Sequence, residues 1–246
     1  PQRLELASVM TGETTCLAPT GGVGLQLRAG SPWAGRLLWA MTQNAYQGDV
    51  VVWSNDGGQS YNHSDSLHTP GLDEWQMVEL NNHSILATMR NCANASGNLH
   101  RCLMRADGPP ASPRVRASLG HARPAQTPGH RVAVAISTDG GITFSKPRLH
   151  RDLVTPICNS AIINYNGSIL FSGPYSETER RNLTVMASDD DGNSFSRRLI
   201  LVPGDAGYSS IACGFARPEH SDEDCAVLYK DSSSVRLVLF HSTDIV

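Results

Sequence analysis

The chain has 246 residues, 40% of them hydrophobic, enough for one large core or two modest ones. Its formal charge of −3 and pI near 6.3 argue against nucleic acid or an anionic membrane as the main partner. No uninterrupted apolar run is long enough to span a bilayer as a helix.

Short β-branched or alternating runs follow one another along the chain. They predict strands over 36–42, 50–54, 75–80, 84–90, 131–137, 160–165, 168–172, 183–188, 208–213, 225–229 and 235–241. Gly, Pro, Asn and Asp fill the gaps, and no stretch sustains a 3.6-residue apolar period, so the fold class is all-β. Three of these runs lead into one eight-residue pattern, Ser-x-Asp-x-Gly-x-Ser/Thr-aromatic, at Ser54–Tyr61, Ser137–Phe144 and Ser188–Phe195. Each copy spells out a hairpin turn. The Asp carboxylate can accept backbone N–H groups, the Gly permits positive φ, and the aromatic ring returns to the core. The 51-residue interval between the second and third copies is close to a four-stranded propeller blade. The 83-residue interval between the first two leaves roughly thirty residues too many for one blade. That surplus falls at about 91–130, a Pro-, Ala-, Gly- and Arg-rich stretch read as an inserted surface loop in a single domain, 1–246. Its arginines (101, 105, 114, 116, 123) fit a solvated basic loop better than an anion site.

Five Asn-x-Ser/Thr sequons, at Asn62, Asn82, Asn94, Asn166 and Asn182, favour passage through the secretory route. Six cysteines show no CxxC and no zinc spacing. A Cys213–Cys225 bridge would span a hairpin and Cys92–Cys102 would close a loop, with free buried thiols as the alternative. The nine histidines form no ligand pair and are read as structural or exposed.

The three repeats resemble the aspartate boxes of sialidases, and four further segments fit the same family. They are Ala18–Gln26 with Gly35–Leu38; Trp75–Leu80 leading to Arg90; Phe171–Pro174 leading to Arg180 and an Asn-Leu-Thr sequon; and Gly207–Ile211 with Val227–Lys230. Their order is similar to the C-terminal two-thirds of a sialidase, most closely the lysosomal type. The resemblance implies a six-bladed β-propeller with the first blade largely missing, leaving about five blades' worth of strands. It also implies an exo-α-sialidase acting on sialylated glycoproteins, oligosaccharides or gangliosides, without a cofactor. A lysosomal location follows, with possible partners in a membrane or a lysosomal protein.

The family's chemistry assigns roles to residue types. Sialic acid carries a carboxylate on its anomeric carbon, which repels a carboxylate nucleophile, and sialidases use a tyrosine instead. A phenol of pKa near 10 then needs a base. The resemblance implies Tyr208 as nucleophile and Glu79 as that base, with Arg131 and Arg180 holding the substrate carboxylate through planar forks. Arg101 and Arg105 compete with Arg131, and Arg181 with Arg180. Asp56, Asp139 and Asp190 are read as turn-building residues. The family's early arginine and its general-acid Asp are expected to precede this chain. Lys230 stands where the family usually has Glu, which motivates the alternative of a catalytically impaired glycan-binding or protein-binding propeller. With Glu79 as an ordinary carboxylate base, the rate optimum is expected near pH 4–5.

Overall fold

The computed structural model describes residues 17–20, 22–43, 48–65, 67, 71–92, 130–215 and 224–246. Within them, sixteen strands form four antiparallel sheets in chain order. The first sheet holds β1 (Leu17–Pro19), β2 (Leu25–Gln26), β3 (Leu37–Gln43), β4 (Gly48–Ser54) and β5 (Asn62–His63). The second is β6 (Leu72–Glu79), β7 (Ile85–Asn91), β8 (Arg131–Ser137) and β9 (Arg148–Val154). The third is β10 (Ala161–Tyr165), β11 (Ser168–Pro174), β12 (Arg181–Ser188) and β13 (Arg197–Asp205). The fourth has β14 (Ser209–Cys213), β15 (Cys225–Lys230) and β16 (Val235–Phe240). Four sheets, not five, are present among the described residues. The second and third each end in a polar outer strand, β9 and β13, that the hydrophobic pattern did not mark. The alternation of β13 between exposed and half-buried positions explains why it was missed.

The sheets pack face to face as propeller blades. Strand β6 sends Trp75 and Met77 into a core shared with Leu38 and Val51 of the first sheet. Its Val78 joins Ile162, Ile169 and Phe171 of the third. Leu183, Val185, Ile211 and Val227 form the next interface, between the third and fourth sheets. A strand buried on both faces needs no polar alternation, which is why β7 is buried along its whole length. Strands β7 and β8 pair directly from Ile85↔Ser137 to Met89↔Ala133, so the 91–130 stretch joins neighbouring strands of one blade. Its residues 93–129 lie outside the described ones.

The three repeats form turns with the same set of hydrogen bonds. Ser54, Ser137 and Ser188 donate from Oγ to the box aspartate at 2.7, 2.8 and 2.7 Å. The same aspartates accept the backbone N–H of Ser60, Thr143 and Ser194 at 2.9, 2.9 and 2.8 Å. Gly192 is required twice over. Its φ is +76°, and a Cβ there would come within 2.6 Å of Leu86 in the neighbouring blade. Phe195 returns to the core against Phe171, with ring centroids 6.2 Å apart. Slight burial of Asp190 is outweighed by its hydrogen bonds from Ser194 and Ser188, which hold its carboxyl down at about 2. A depressed carboxyl stabilises the fold above its unfolded value, and that contribution is lost as pH falls from about 4 towards 2. Asp190→Ala is expected to cost about 1 kcal/mol at pH 7, discounted for exposure. Urea unfolding at pH 7 and pH 2.5 checks this, because the gap between parent and variant should shrink in acid.

Cys213 and Cys225 face each other across β14 and β15 and are bridged. Cys92 is also disulfide-bonded, while Cys158 is free and buried. The expected partner of Cys92, Cys102, lies outside the described residues.

Candidate active site

The inner strands β6, β10 and β14 begin at one end of the blades, and the box turns lie at the other. Four charged side chains and one phenol gather at the first end. Arg90, at the end of β7, sits opposite Asp73 near the start of β6. It donates from Nε and Nη2 to the two Asp73 oxygens at 2.6 and 2.7 Å. Its Nη1 donates to the Tyr208 hydroxyl at 3.0 Å and lies 2.7 Å from Glu74 Oε2. Tyr208, just before β14, donates its hydroxyl proton to Glu74 Oε1 at 2.5 Å. Arg180, in the β11–β12 connection, stacks its guanidinium 5.2 Å from the Tyr208 ring centroid. It is anchored through Nε and Nη2 to the Ile157 carbonyl.

A backbone irregularity makes this cluster. The β6–β7 register shifts between Asp73 and Trp75, leaving Glu74 as an extra residue with φ +38°. In a regular strand, neighbouring side chains point to opposite faces. The bulge turns two consecutive acids toward the same arginine.

Burial raises the Glu74 carboxyl above its ordinary value, against the pull of Arg90, with the Asp73 charge adding to the rise. Burial likewise raises Asp73, although its hydrogen bonds to Arg90 oppose this. For Arg90, burial disfavours the charge, but Asp73 and then Glu74 outweigh it and the net shift is upward. The Tyr208 phenol is raised by burial and by its bond to Glu74, with Arg90 and Arg180 opposing. Tyr208 is 38% exposed, whereas the Arg90 and Glu74 side chains are largely covered. The arrangement is thus an open phenol whose proton already points at a buried carboxylate, with two guanidinium groups beside it. It suits attack by a phenol oxygen on a substrate that brings an anion.

Two of the four residues named from the sequence, Tyr208 and Arg180, meet here. Glu79 does not. It ends β6 at the far side of the blade, about 20 Å along the strand from Asp73 at some 3.3 Å per residue. There its carboxylate accepts from the Arg28 backbone N–H at 2.7 Å and pairs with His83 Nδ1 at 2.8 Å. The carboxylate at Tyr208 is Glu74. Arg131 opens β8 as expected, but its Nη1 donates to the Arg151 carbonyl, toward the outer strand. The arginine facing the phenol is one strand further in, Arg90. Folding the 72–91 hairpin in regular register, with Glu79 opposite Ile85, would have set Arg90 opposite Glu74; the bulge then shifts Asp73 into that place. Among the described residues, no grouping of His, Cys, Asp and Glu could hold a metal ion.

No family model matches the chain. A curated sialidase of Micromonospora viridifaciens is 29% identical over 234 residues, covering 89% of this chain and 30% of that protein. Among solved structures, a Hadza microbial sialidase superposes with a TM-score of 0.70 at 21% identity, over 99% of this chain and 41% of that one. A leech intramolecular trans-sialidase gives 0.67 at 18% identity, covering 94% and 33%. The Ruminococcus gnavus intramolecular trans-sialidase gives 0.66 at 19%, covering 95% and 46%. The chain therefore spans less than half the length of each of these relatives.

Proposed function

The chain is a homologue of the sialidases, and on that premise we propose that it carries the catalytic tyrosine centre of an exo-α-sialidase. The observation that carries this reading is the Tyr208 hydroxyl, 2.5 Å from Glu74 Oε1 and 3.0 Å from Arg90 Nη1. The Tyr208 oxygen attacks the anomeric carbon of a terminal α-linked sialic acid as its proton passes to Glu74. The bond to the departing sugar oxygen breaks, and that oxygen takes a proton from an acid outside this cluster. Water then displaces the phenol oxygen and gives its spare proton back to that outside acid, while the phenol oxygen recovers its proton from Glu74, and two inversions give net retention. Arg90 and Arg180 bear on the substrate carboxylate. Sialylated glycoproteins, oligosaccharides and gangliosides share the terminal group this chemistry needs. We read the four sheets as part of a six-bladed propeller of the sialidase type. The Cys213–Cys225 bridge and the exposed Asn62, Asn82 and Asn166 sequons support a secretory, lysosomal setting.

Replacing Glu79 by Glu74 as the base revises the expected pH dependence. Glu74 serves only when ionised, and its carboxyl is raised, so activity falls as pH drops through a value above the ordinary one. The acid limb of kcat/KM should lie above about 4.5, with the optimum above the pH 4–5 that an unperturbed carboxylate implies. Hydrolysis of a fluorogenic sialoside across pH 3–8 tests both points. Glu74→Gln should lose on the order of 10²–10⁴-fold in kcat. Glu79→Gln should keep kcat within about threefold, because that side chain works in packing at the far end of the strand. A loss in Glu79→Gln equal to that in Glu74→Gln, with the fold intact, would return the base to Glu79.

A further inference from the structure

We propose that Asp73 is a positioning residue for this centre: its two-point clamp fixes the Arg90 guanidinium so that Nη1 bears on Glu74 and Tyr208 together. The inference rests on the sialidase reading and deepens it. Asp73 is 1% exposed and touches no reacting group itself. Its oxygens take Nε and Nη2 of Arg90 at 2.6 and 2.7 Å, the edge-on geometry in which a planar fork has no rotational freedom left. With that edge fixed, the position of Nη1 is fixed too, 3.0 Å from the phenol oxygen.

The clamp also settles a competition. Arg90 lies within reach of two carboxylates, and a free guanidinium fork would take the nearer one through both its nitrogens. Glu74 Oε2 is 2.7 Å from Nη1 yet has no aligned hydrogen bond, so it makes a charge contact only. Because Asp73 occupies the fork, Glu74 keeps Oε1 turned to the Tyr208 proton. Without Asp73, Arg90 would swing onto Glu74 and draw the base away from the phenol. The bulge adds the missing element. It brings Asp73 and Glu74 to the same side of β6, so one acid holds the arginine while its neighbour is left for chemistry.

The charged and titratable groups facing Glu74 are Asp73 on β6, Arg90 on β7, Arg180 before β12 and Tyr208 before β14, with the Cys158 thiol beyond them. Removing the Asp73 charge takes away the like charge that raises Glu74 and leaves Arg90 wholly to it. Both changes lower the pH at which Glu74 protonates.

The test is steady-state hydrolysis of a fluorogenic sialoside by the parent, Asp73→Asn, Asp73→Glu and Tyr208→Phe, with folding checked by circular dichroism. Asp73→Asn is expected to lose on the order of 10²-fold in kcat, more than it changes KM. Its acid limb should move down by about one pH unit. A purely structural Asp73 would lower the melting temperature and leave kcat and the acid limb where they were. A folded Asp73→Asn with parental kcat and acid limb overturns the proposal. If Asp73→Asn does not fold, Asp73→Glu decides, since it keeps the ion pair but displaces the fork by one methylene. A loss of kcat in Asp73→Glu supports the clamp, and a parental kcat overturns it. Tyr208→Phe separates the two layers: full activity there removes the tyrosine mechanism, whatever Asp73 does.

Discussion

Tyr208→Phe should lower the rate of sialoside hydrolysis on the order of 10³-fold or more, while the fold survives. The ring is kept, so its stacking against Arg180 persists, and only the hydroxyl bonded to Glu74 and Arg90 is lost. That hydroxyl is the atom the proposed mechanism cannot replace, because neither a carboxylate nor a guanidinium nearby can form the same adduct. Melting should change little, since Tyr208 is well exposed. Trapping with a fluorinated sialosyl donor, read by mass spectrometry, should label the parent at Tyr208 and leave the variant unlabelled. Equal rates in the two proteins would remove Tyr208 from the chemistry.

Arg90→Ala should have the largest effect on stability. Asp73 is buried and Glu74 nearly so, and Arg90 is the cation paired with both, with Arg180 acting on Glu74 as well. Removing one partner of a buried pair typically costs about 3–5 kcal/mol because an uncompensated charge stays behind. The cost should depend on pH in a defined sense. With Arg90 gone, burial raises both carboxyls further above their unfolded values. Such groups destabilise the fold as pH rises through the window between the unfolded and folded values. Urea unfolding should therefore show a smaller deficit at pH 4 than at pH 7.5. A deficit below about 1 kcal/mol at pH 7.5, or the same deficit at both, would mean that Asp73 and Glu74 do not rely on Arg90.

What the sequence made legible was local. The box turns are written in eight consecutive residues, and their hydrogen bonds follow from those residues alone. Strands buried on two faces are apolar runs, so β7, β8 and β12 stood out. The outer strands β9 and β13 carry arginines and half-exposed positions and gave no such signal. Family resemblance in short segments pointed to Tyr208 and Arg180, which the fold brings into contact. Glu74 was missed because the predicted strand began at Trp75, which left an acid just before it looking like loop. Nothing in the composition of Leu72–Trp75 announces a bulge. Arg131 opens the expected strand, but direction across the sheet is a matter of pairing, and its side chain turns to the Arg151 carbonyl.

The extra residue in β6 also sets a limit on improving this protein. A chain selected only for robustness would lose Glu74, since excising it would restore an unbroken ladder between β6 and β7 and relieve a non-glycine residue of φ +38°. The same excision would take away the acceptor for the Tyr208 proton. On the proposed mechanism thermostability and turnover compete for a single position, so engineering for heat resistance should leave Asp73 and Glu74 alone and work on the blade ends that carry the boxes.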